Sequence, residues 1–130
     1  MKITIMVEPQ GKARPRMRIT KSGKATVYTP SKTVHTEAMI RERMIREGKF
    51  DRGVPLYLEA TFYRERPKSL AKGITMPISR PDLDNYWKLL TDALEKFSYY
   101  NDSQITTTLV KKRFGSPPRI ELILEVDDGS

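Results

Sequence analysis

Between residues 80 and 104 the chain places three carboxylates and a lysine in a pattern that packing does not require: Arg80-Pro81-Asp82-Leu83-Asp84-Asn85-Tyr86-Trp87-Lys88, then Asn101-Asp102-Ser103-Gln104. Asp82 and Asp84 stand one residue apart, where a proline stops one segment and a helix is expected to begin. In extended backbone that spacing points both carboxylates the same way, into mutual repulsion unless a cation lies between them. Lys88 follows one helical turn after Asp84, and Asp102 comes where the chain can turn back after that helix. Oxygen ligands of this kind suit Mg²⁺, which takes one or two carboxylates together with substrate phosphate oxygens. Phosphodiester chemistry is the reaction class that most often uses such an ion, and Lys88 could stabilise the negative charge that develops or the leaving oxygen.

Each acid also has a plainer reading. An aspartate at a helix start satisfies free backbone N–H groups and interacts well with the helix dipole, a gain of about 1 kcal/mol, and Asp84 could do only that. Asp84 and Lys88 could form an ordinary i,i+4 pair contributing about 0.3–0.5 kcal/mol. Asp102 could be a turn residue, and Asp92 a surface residue or a partner for Lys88. Capping needs one aspartate, however, and two flank this helix start.

The charge distribution suggests what a site here would act on. Net charge is +8, and it is uneven: residues 1–50 hold twelve Lys/Arg against four Asp/Glu, leaving the remainder neutral. Lys12, Arg14, Arg16, Arg18, Lys21 and Lys24 occur with no intervening acid. A run of this kind can be a solvated loop or strand edge. Alternation at 12, 14, 16 and 18 would direct four cations to one face of an extended chain, a stripe suited to a polyphosphate backbone and to steeply salt-dependent binding. Nucleic acid is the favoured partner; an acidic protein or a membrane surface is also compatible with the charge.

With 130 residues, 38% apolar and 31% charged, a single soluble domain spanning 1–130 is expected. No window approaches the ~20 apolar residues of a membrane span, and the N-terminus alternates like a strand without a signal-peptide core. The chain has no cysteine and one histidine, His35, which excludes thiolate metal sites and disulfides and disfavours a His-rich site. Intracellular is the expected location.

The positioning elements follow from periodicity. Met1–Glu8 reads as a strand, and Arg16–Ile19 with Ala25–Tyr28 as a hairpin turning at Lys21-Ser22-Gly23-Lys24. Thr29-Pro30 predicts an N-cap and first helical position, the helix running to about Glu47 and stopping at Gly48, with Val34, Ala38, Arg41 and Ile45 on one face. A strand is expected over 55–63, then a sixteen-residue loop from Arg64 to Ser79, a length unusual unless functional or mobile. At 100° per residue, a helix from about Asp84 to Phe97 would bury Leu83, Trp87, Leu90, Leu94 and Phe97, leaving Asp84, Lys88 and Asp92 along an exposed stripe. Strands over 104–113 and 119–126 finish the chain. The expected class is α+β: a mixed sheet with two main helices in the order β, hairpin, α, β, α, β, β.

Together, Arg80-Pro81-Asp82-Leu83-Asp84-Asn85 with Lys88, Asp92-Ala93-Leu94 and Asn101-Asp102-Ser103-Gln104-Ile105 resemble the RusA family of Holliday-junction resolvases of bacteria and their phages. Lys12-Ala13-Arg14-Pro15-Arg16 and Tyr28-Thr29-Pro30 look like the family's phage and Gram-positive branch. The resemblance extends over essentially the whole chain, with residues 80–105 its specific part. It implies a homodimeric, Mg²⁺-dependent, structure-selective endonuclease, with Mn²⁺ able to substitute and no small-molecule cofactor. Such an enzyme nicks two strands of a four-way junction symmetrically in DNA recombination and repair, in the cytoplasm and without a membrane partner. By motif position Asp82, Asp84 and Asp102 match the metal-binding aspartates and Lys88 the essential lysine, while Asp92 takes a supporting role. Asn101 stands where many members have a second acid, which leaves the three aspartates intact. A non-catalytic basic DNA-binding module, and a nuclease acting on forks or flaps, remain open alternatives.

Overall fold

The computed structural model describes all residues 1–130. Strands β1 (Lys2–Ile5), β4 (Leu56–Arg64), β5 (Ile105–Phe114) and β6 (Arg119–Val126) form one sheet, and β2 (Arg16–Ile19) and β3 (Ala25–Tyr28) form a separate hairpin. Helices α1 (Ser31–Met44) and α2 (Leu83–Leu94) complete the α+β fold in the expected order. The sheet order is β1-β6-β4-β5: β6 runs antiparallel to both β1 and β4, while β5 lies parallel to β4 at the edge. A parallel neighbour needs a crossover, and α2 supplies it. The helix therefore runs back along the sheet, its start near the ends of β4 and β5 and its end near their beginnings.

Alternation sets the core. Ile3, Leu122, Ala60 and Val110 occupy one row across all four strands, and Ile5, Ile120, Phe62 and Lys112 another. The apolar members of both rows pack with Ile40 and Met44 of α1 and Tyr86, Leu89, Leu90, Ala93 and Leu94 of α2. Phe62 stacks on Tyr86 with ring centroids 4.9 Å apart, a contact that fixes the first turn of α2 against the sheet.

Several expectations about the helices shift. The buried face of α2 is rotated: Tyr86, Leu89 and Ala93 are buried, whereas Leu83 and Phe97 are exposed. The helix ends at Leu94, and Lys96 takes a positive φ of 72°, so Phe97 leaves the helical register. The Arg41 guanidinium covers Phe97 instead, 4.6 Å from its ring centroid. In α1 the buried residues are Thr33, Thr36, Glu37, Ile40 and Met44, while Val34, Ala38 and Ile45 are exposed. The reason is a polar seam between the helices: Arg41 Nε and Nη2 donate to the Ala93 and Asp92 carbonyl oxygens at the end of α2, and Nη2 pairs with Glu37. Pro30, not Thr29, occupies the N-cap of α1, and the last turn tightens to a 3₁₀ helix over Ile45–Glu47 before Gly48.

Candidate active site and nucleic-acid interface

Asp82 is the N-cap of α2, with extended backbone (φ −67°, ψ 153°), and its side chain makes no capping hydrogen bond. Leu83 is already helical, so Asp84 lies in the first turn rather than continuing an extended segment as expected. Both carboxylates are exposed, and no lysine or arginine bridges to either. The capping role that could have explained Asp84 is thus unused. The positive end of the α2 dipole and the free N–H groups of its first turn are what favour two negative charges here.

Long-range contacts hold this helix start in place. Arg64 Nη1 donates to Ser79 Oγ and to the Arg80 carbonyl oxygen (3.3 and 2.8 Å), and Lys112 Nζ donates to the Ser79 and Pro81 carbonyl oxygens, both at 3.0 Å. From the other side the Lys12 amide donates to the Asn85 carbonyl oxygen at 3.0 Å. Gly11 lies so close that an added Cβ would meet the Pro81 Cβ at 2.8 Å. A Gly11→Ala variant must therefore push the Pro81–Asp82 segment aside. We expect it to destabilise the fold by about 1–3 kcal/mol, with altered amide shifts at Asp82 and Asp84 by NMR; unchanged shifts would contradict this.

The loop from Arg64 to Ser79 is more ordered than its lack of periodicity suggested. The Arg66 guanidinium donates to the carbonyl oxygens of Pro67, Leu70, Ala71 and Ile74, the shortest contact being 2.7 Å to Ala71. One side chain thus organises the turn that leads toward the aspartates.

Lys88 and Asp92 pair along the exposed stripe of α2 at 3.1 Å. Lys12, read from the sequence as part of the cationic stripe, turns inward: its Nζ lies 3.0 Å from Asp92 and 2.8 Å from Glu37. The chain before Arg16 is not strand, so the 12-14-16-18 alternation does not extend to Lys12. Burial alone would raise the Asp92 carboxyl, but hydrogen bonds and charge from Lys12 and Lys88 outweigh it and hold the pKa below the usual 3.8. Burial would likewise lower Lys12, yet Glu37 and Asp92 raise it above 10.5. The linkage follows from these directions. Asp92 contributes stability above pH 3.8, lost as pH falls through its depressed pKa; Lys12 contributes below 10.5, lost as pH rises through its elevated one. Asp92→Asn should cost about 1 kcal/mol at neutral pH. In urea denaturation the difference from the unmodified protein should shrink as the solution is acidified below pH 3.8; a pH-independent difference would count against the ion pairs as its source.

Asp102 sits in a turn whose structural work is done by its neighbours. The Asn101 side chain accepts from the Ser103 amide, and Gln104 Oε1 accepts from the Asn101 and Tyr100 amides. Gln104 Nε2 donates to the Asp51 and Val54 carbonyl oxygens, tying the turn to the approach to β4. The Asp102 carboxylate is not the turn's cap: Tyr99 Oη donates to it at 2.6 Å, and the Asp102 amide donates to Glu95 Oε2 at 2.9 Å. Burial raises the Asp102 carboxyl above its usual range; Glu95 and Asp92 add to this, while the Tyr99 hydroxyl and Lys88 oppose it.

Asp84, Lys88 and Asp92 therefore share one helix face as expected, and Asp82 adjoins them. Asp102 lies at the other end of α2. Consistently, no three Asp, Glu, His or Cys side chains lie close enough together to hold a metal ion. Within one chain Asp82, Asp84 and Asp102 are not brought together. Sequence reasoning passed over Arg64, Lys112, Tyr99 and Glu95, whose contacts span the fold and leave no local spacing signal.

The remaining cations gather on and beside the β2–β3 hairpin. All eight of its strand residues are exposed. Its register places Arg16 beside Tyr28 and Arg18 beside Thr26 on one face, with Met17, Ile19, Val27 and Ala25 on the other. Arg18 lies 5.4 Å from the Tyr28 ring centroid. Arg14 precedes the arm, and Lys21 and Lys24 flank its turn at Gly23, which takes a positive φ of 82°. A two-stranded arm is marginally stable alone, and a basic face of this shape suits a phosphate backbone.

Comparison with known proteins places these features in a family. The family model described as endodeoxyribonuclease RusA matches residues 7–125. The chain is 30% identical to the uncharacterized protein YqaN of Bacillus subtilis (strain 168) over an alignment of 141 residues, covering 95% of this chain and 94% of that protein. It is 40% identical over 74 residues to the crossover junction endodeoxyribonuclease rusA of Lactococcus phage r1t, covering 56% of each chain. The aspartate pair on α2, the lysine one turn later and the capped Asp102 turn all lie within the matched span, and the chain belongs to the RusA family of endodeoxyribonucleases.

Proposed function

We propose that residues 1–130 act as one domain, a Mg²⁺-dependent, structure-selective endodeoxyribonuclease that nicks a four-way DNA junction symmetrically as a homodimer. The observation that carries this reading is the pair of exposed, unpartnered carboxylates at the start of α2, held by Arg64 and Lys112 on a body that also carries a detached basic arm. Arg14, Arg16, Arg18, Lys21 and Lys24 bind phosphates away from the cut, Lys88 faces the scissile phosphate, and Asp92 positions Lys88. When bound, the divalent ion supplies charge neutralisation and water activation. Asp82 and Asp84 are its ligands in this reading.

Shape selectivity would reside in the two-fold pairing of two basic arms, which a four-way junction matches and linear duplex does not. The test is incubation with labelled mobile junction, fork, flap and linear duplex, with Mg²⁺ and with chelator. Cleavage of the junction in preference to the others, only with metal, is expected. Preference for fork or flap would reassign the substrate, and binding without any cleavage would favour the non-catalytic module, a reading supported by the spread of the three aspartates within one chain.

A further inference from the structure

Away from the basic arm and the aspartate pair, two cations converge on one aromatic ring. Lys49 Nζ lies 3.7 Å and the Arg52 guanidinium carbon 4.1 Å from the ring centroid of Tyr100. Each other ring in contact with a cation carries only one. Like charges gathered on one ring repel, and the ring's negative face offsets that only in part. Neither cation forms an ion pair within the chain. Asp51 stands between them in sequence but is exposed and bridges to neither. An anion from outside the chain would complete the cluster.

The surroundings suit such an anion. Arg52, Gly53, Tyr100, Asn101 and Ser103 are among the residues lining a recess of about 380 Å³, and no carboxylate lines it. Asn101 Oδ1 is taken up by the Ser103 amide, which leaves the Asn101 side-chain NH₂ free to donate into the recess. The cations are also held in place. They stand on the connection between the 3₁₀ turn after α1 and β4, bracketed by Gly48 and Gly53 at positive φ of 80° and 79°. The Phe50 amide donates to the Ser98 carbonyl oxygen at 2.9 Å, and Gln104 Nε2 donates to the Asp51 and Val54 carbonyl oxygens. These bonds lock the connection to the turn that carries Asp102, two residues beyond Tyr100.

We propose that Lys49, Arg52 and Tyr100 form a second phosphate subsite, which grips a backbone phosphate of bound DNA at the Asp102 turn, independently of the β2–β3 arm. This deepens the reading above by naming a second place where the substrate is held. Both distances are measured to one ring, so the ammonium and the guanidinium lie close enough for one phosphate group to touch both. Tyr100 is a positioning residue that keeps the two charges side by side. A recess with two exposed cations holds a lone phosphate weakly. DNA already held by the arm is presented to it at high effective concentration, a gain open only to a ligand that spans both places.

The test measures binding of a labelled four-way junction in chelator across a salt series, so that cleavage plays no part. Lys49→Gln combined with Arg52→Gln should weaken binding about tenfold at about 0.1 M salt and lower the slope of log affinity against log salt by about 1, the share of one phosphate contact. The loss should add to that of the arm variant, since the two places touch different phosphates. Lys49→Arg combined with Arg52→Lys, which conserves both charges, should keep the slope. Junctions carrying single neutral methylphosphonates then locate the contact. At one position the neutral group should weaken binding by the unmodified protein and by the arm variant, and leave the Lys49→Gln/Arg52→Gln variant unaffected. A folded Lys49→Gln/Arg52→Gln protein with unchanged affinity and slope overturns the proposal. So does unfolding of that variant by circular dichroism, which would make the ring contacts structural, a lowered slope in the charge-conserving variant, or the absence of any methylphosphonate position with the expected pattern. Inorganic phosphate binding by calorimetry that the variant abolishes while junction affinity stays unchanged would assign the recess to a free anion, which also overturns it. An unmodified protein that binds the junction but cuts no substrate overturns the nuclease reading and leaves the subsite standing, because every readout here is of binding. Failure to bind the junction overturns both.

Discussion

Asp84→Asn, and separately Asp82→Asn, should reduce junction cleavage by about a thousandfold or more, the kinetic equivalent of the several kcal/mol that a catalytic divalent ion contributes. Junction affinity should be unchanged or slightly higher, because a negative charge near the DNA phosphates has been removed. The separation of effects follows from the site's geometry. Both carboxylates are exposed, neither caps the helix, and no lysine or arginine bridges to them. Replacement by the isosteric amide therefore breaks no fold contact, and thermal stability should stay within about 0.5 kcal/mol. Gel-shift titration and single-turnover cleavage measured side by side check this. A variant that cuts normally in Mg²⁺ would remove the aspartate from the centre, and one that has unfolded would make the residue structural.

Neutralising the arm should have the complementary effect. Arg14, Arg16 and Arg18 changed together to Gln should weaken junction binding strongly and lower the slope of log affinity against log salt by about 2–3 units, since each phosphate contact contributes roughly 0.9. The three are exposed on or beside the hairpin and make no ion pair with the body, so the loss should come from DNA contact rather than unfolding. Lys12 is excluded from the set because its ammonium is committed to Glu37 and Asp92. A Lys12 variant should lose stability instead. Binding measured across a salt series distinguishes these outcomes, and an unchanged slope for the triple variant would take the arm out of the interface.

Much of the fold was legible because apolar alternation over Leu56–Phe62 and Ile120–Leu124 fixes the strands, and turn residues separate the hairpin. The burial of α1 was not legible. Its inward face carries Thr33, Thr36 and Glu37, since it meets α2 through Arg41 and the Lys12–Asp92 pair, and hydrophobicity does not report a polar seam. The rotation of the α2 face has a similar origin: Tyr86 is drawn inward by stacking on Phe62, while Phe97 is displaced by the positive φ at Lys96. At the site, residue types and spacing singled out Asp82, Asp84, Lys88 and Asp102 as candidates and anticipated the pairing of Lys88 with Asp92. Their distances were hidden by topology. A parallel β4–α2–β5 crossover puts Asp84 and Asp102 at opposite ends of one helix, which no short-range motif discloses.

The most direct test of the central claim is strand-by-strand mapping of cleavage on a four-way junction that cannot branch-migrate, with the unmodified protein and Mg²⁺. The result predicted is a pair of nicks at symmetry-related positions on two opposing strands, suppressed by chelator and by Asp84→Asn. Binding with no nicks, or cleavage that Asp84→Asn leaves intact, would contradict it.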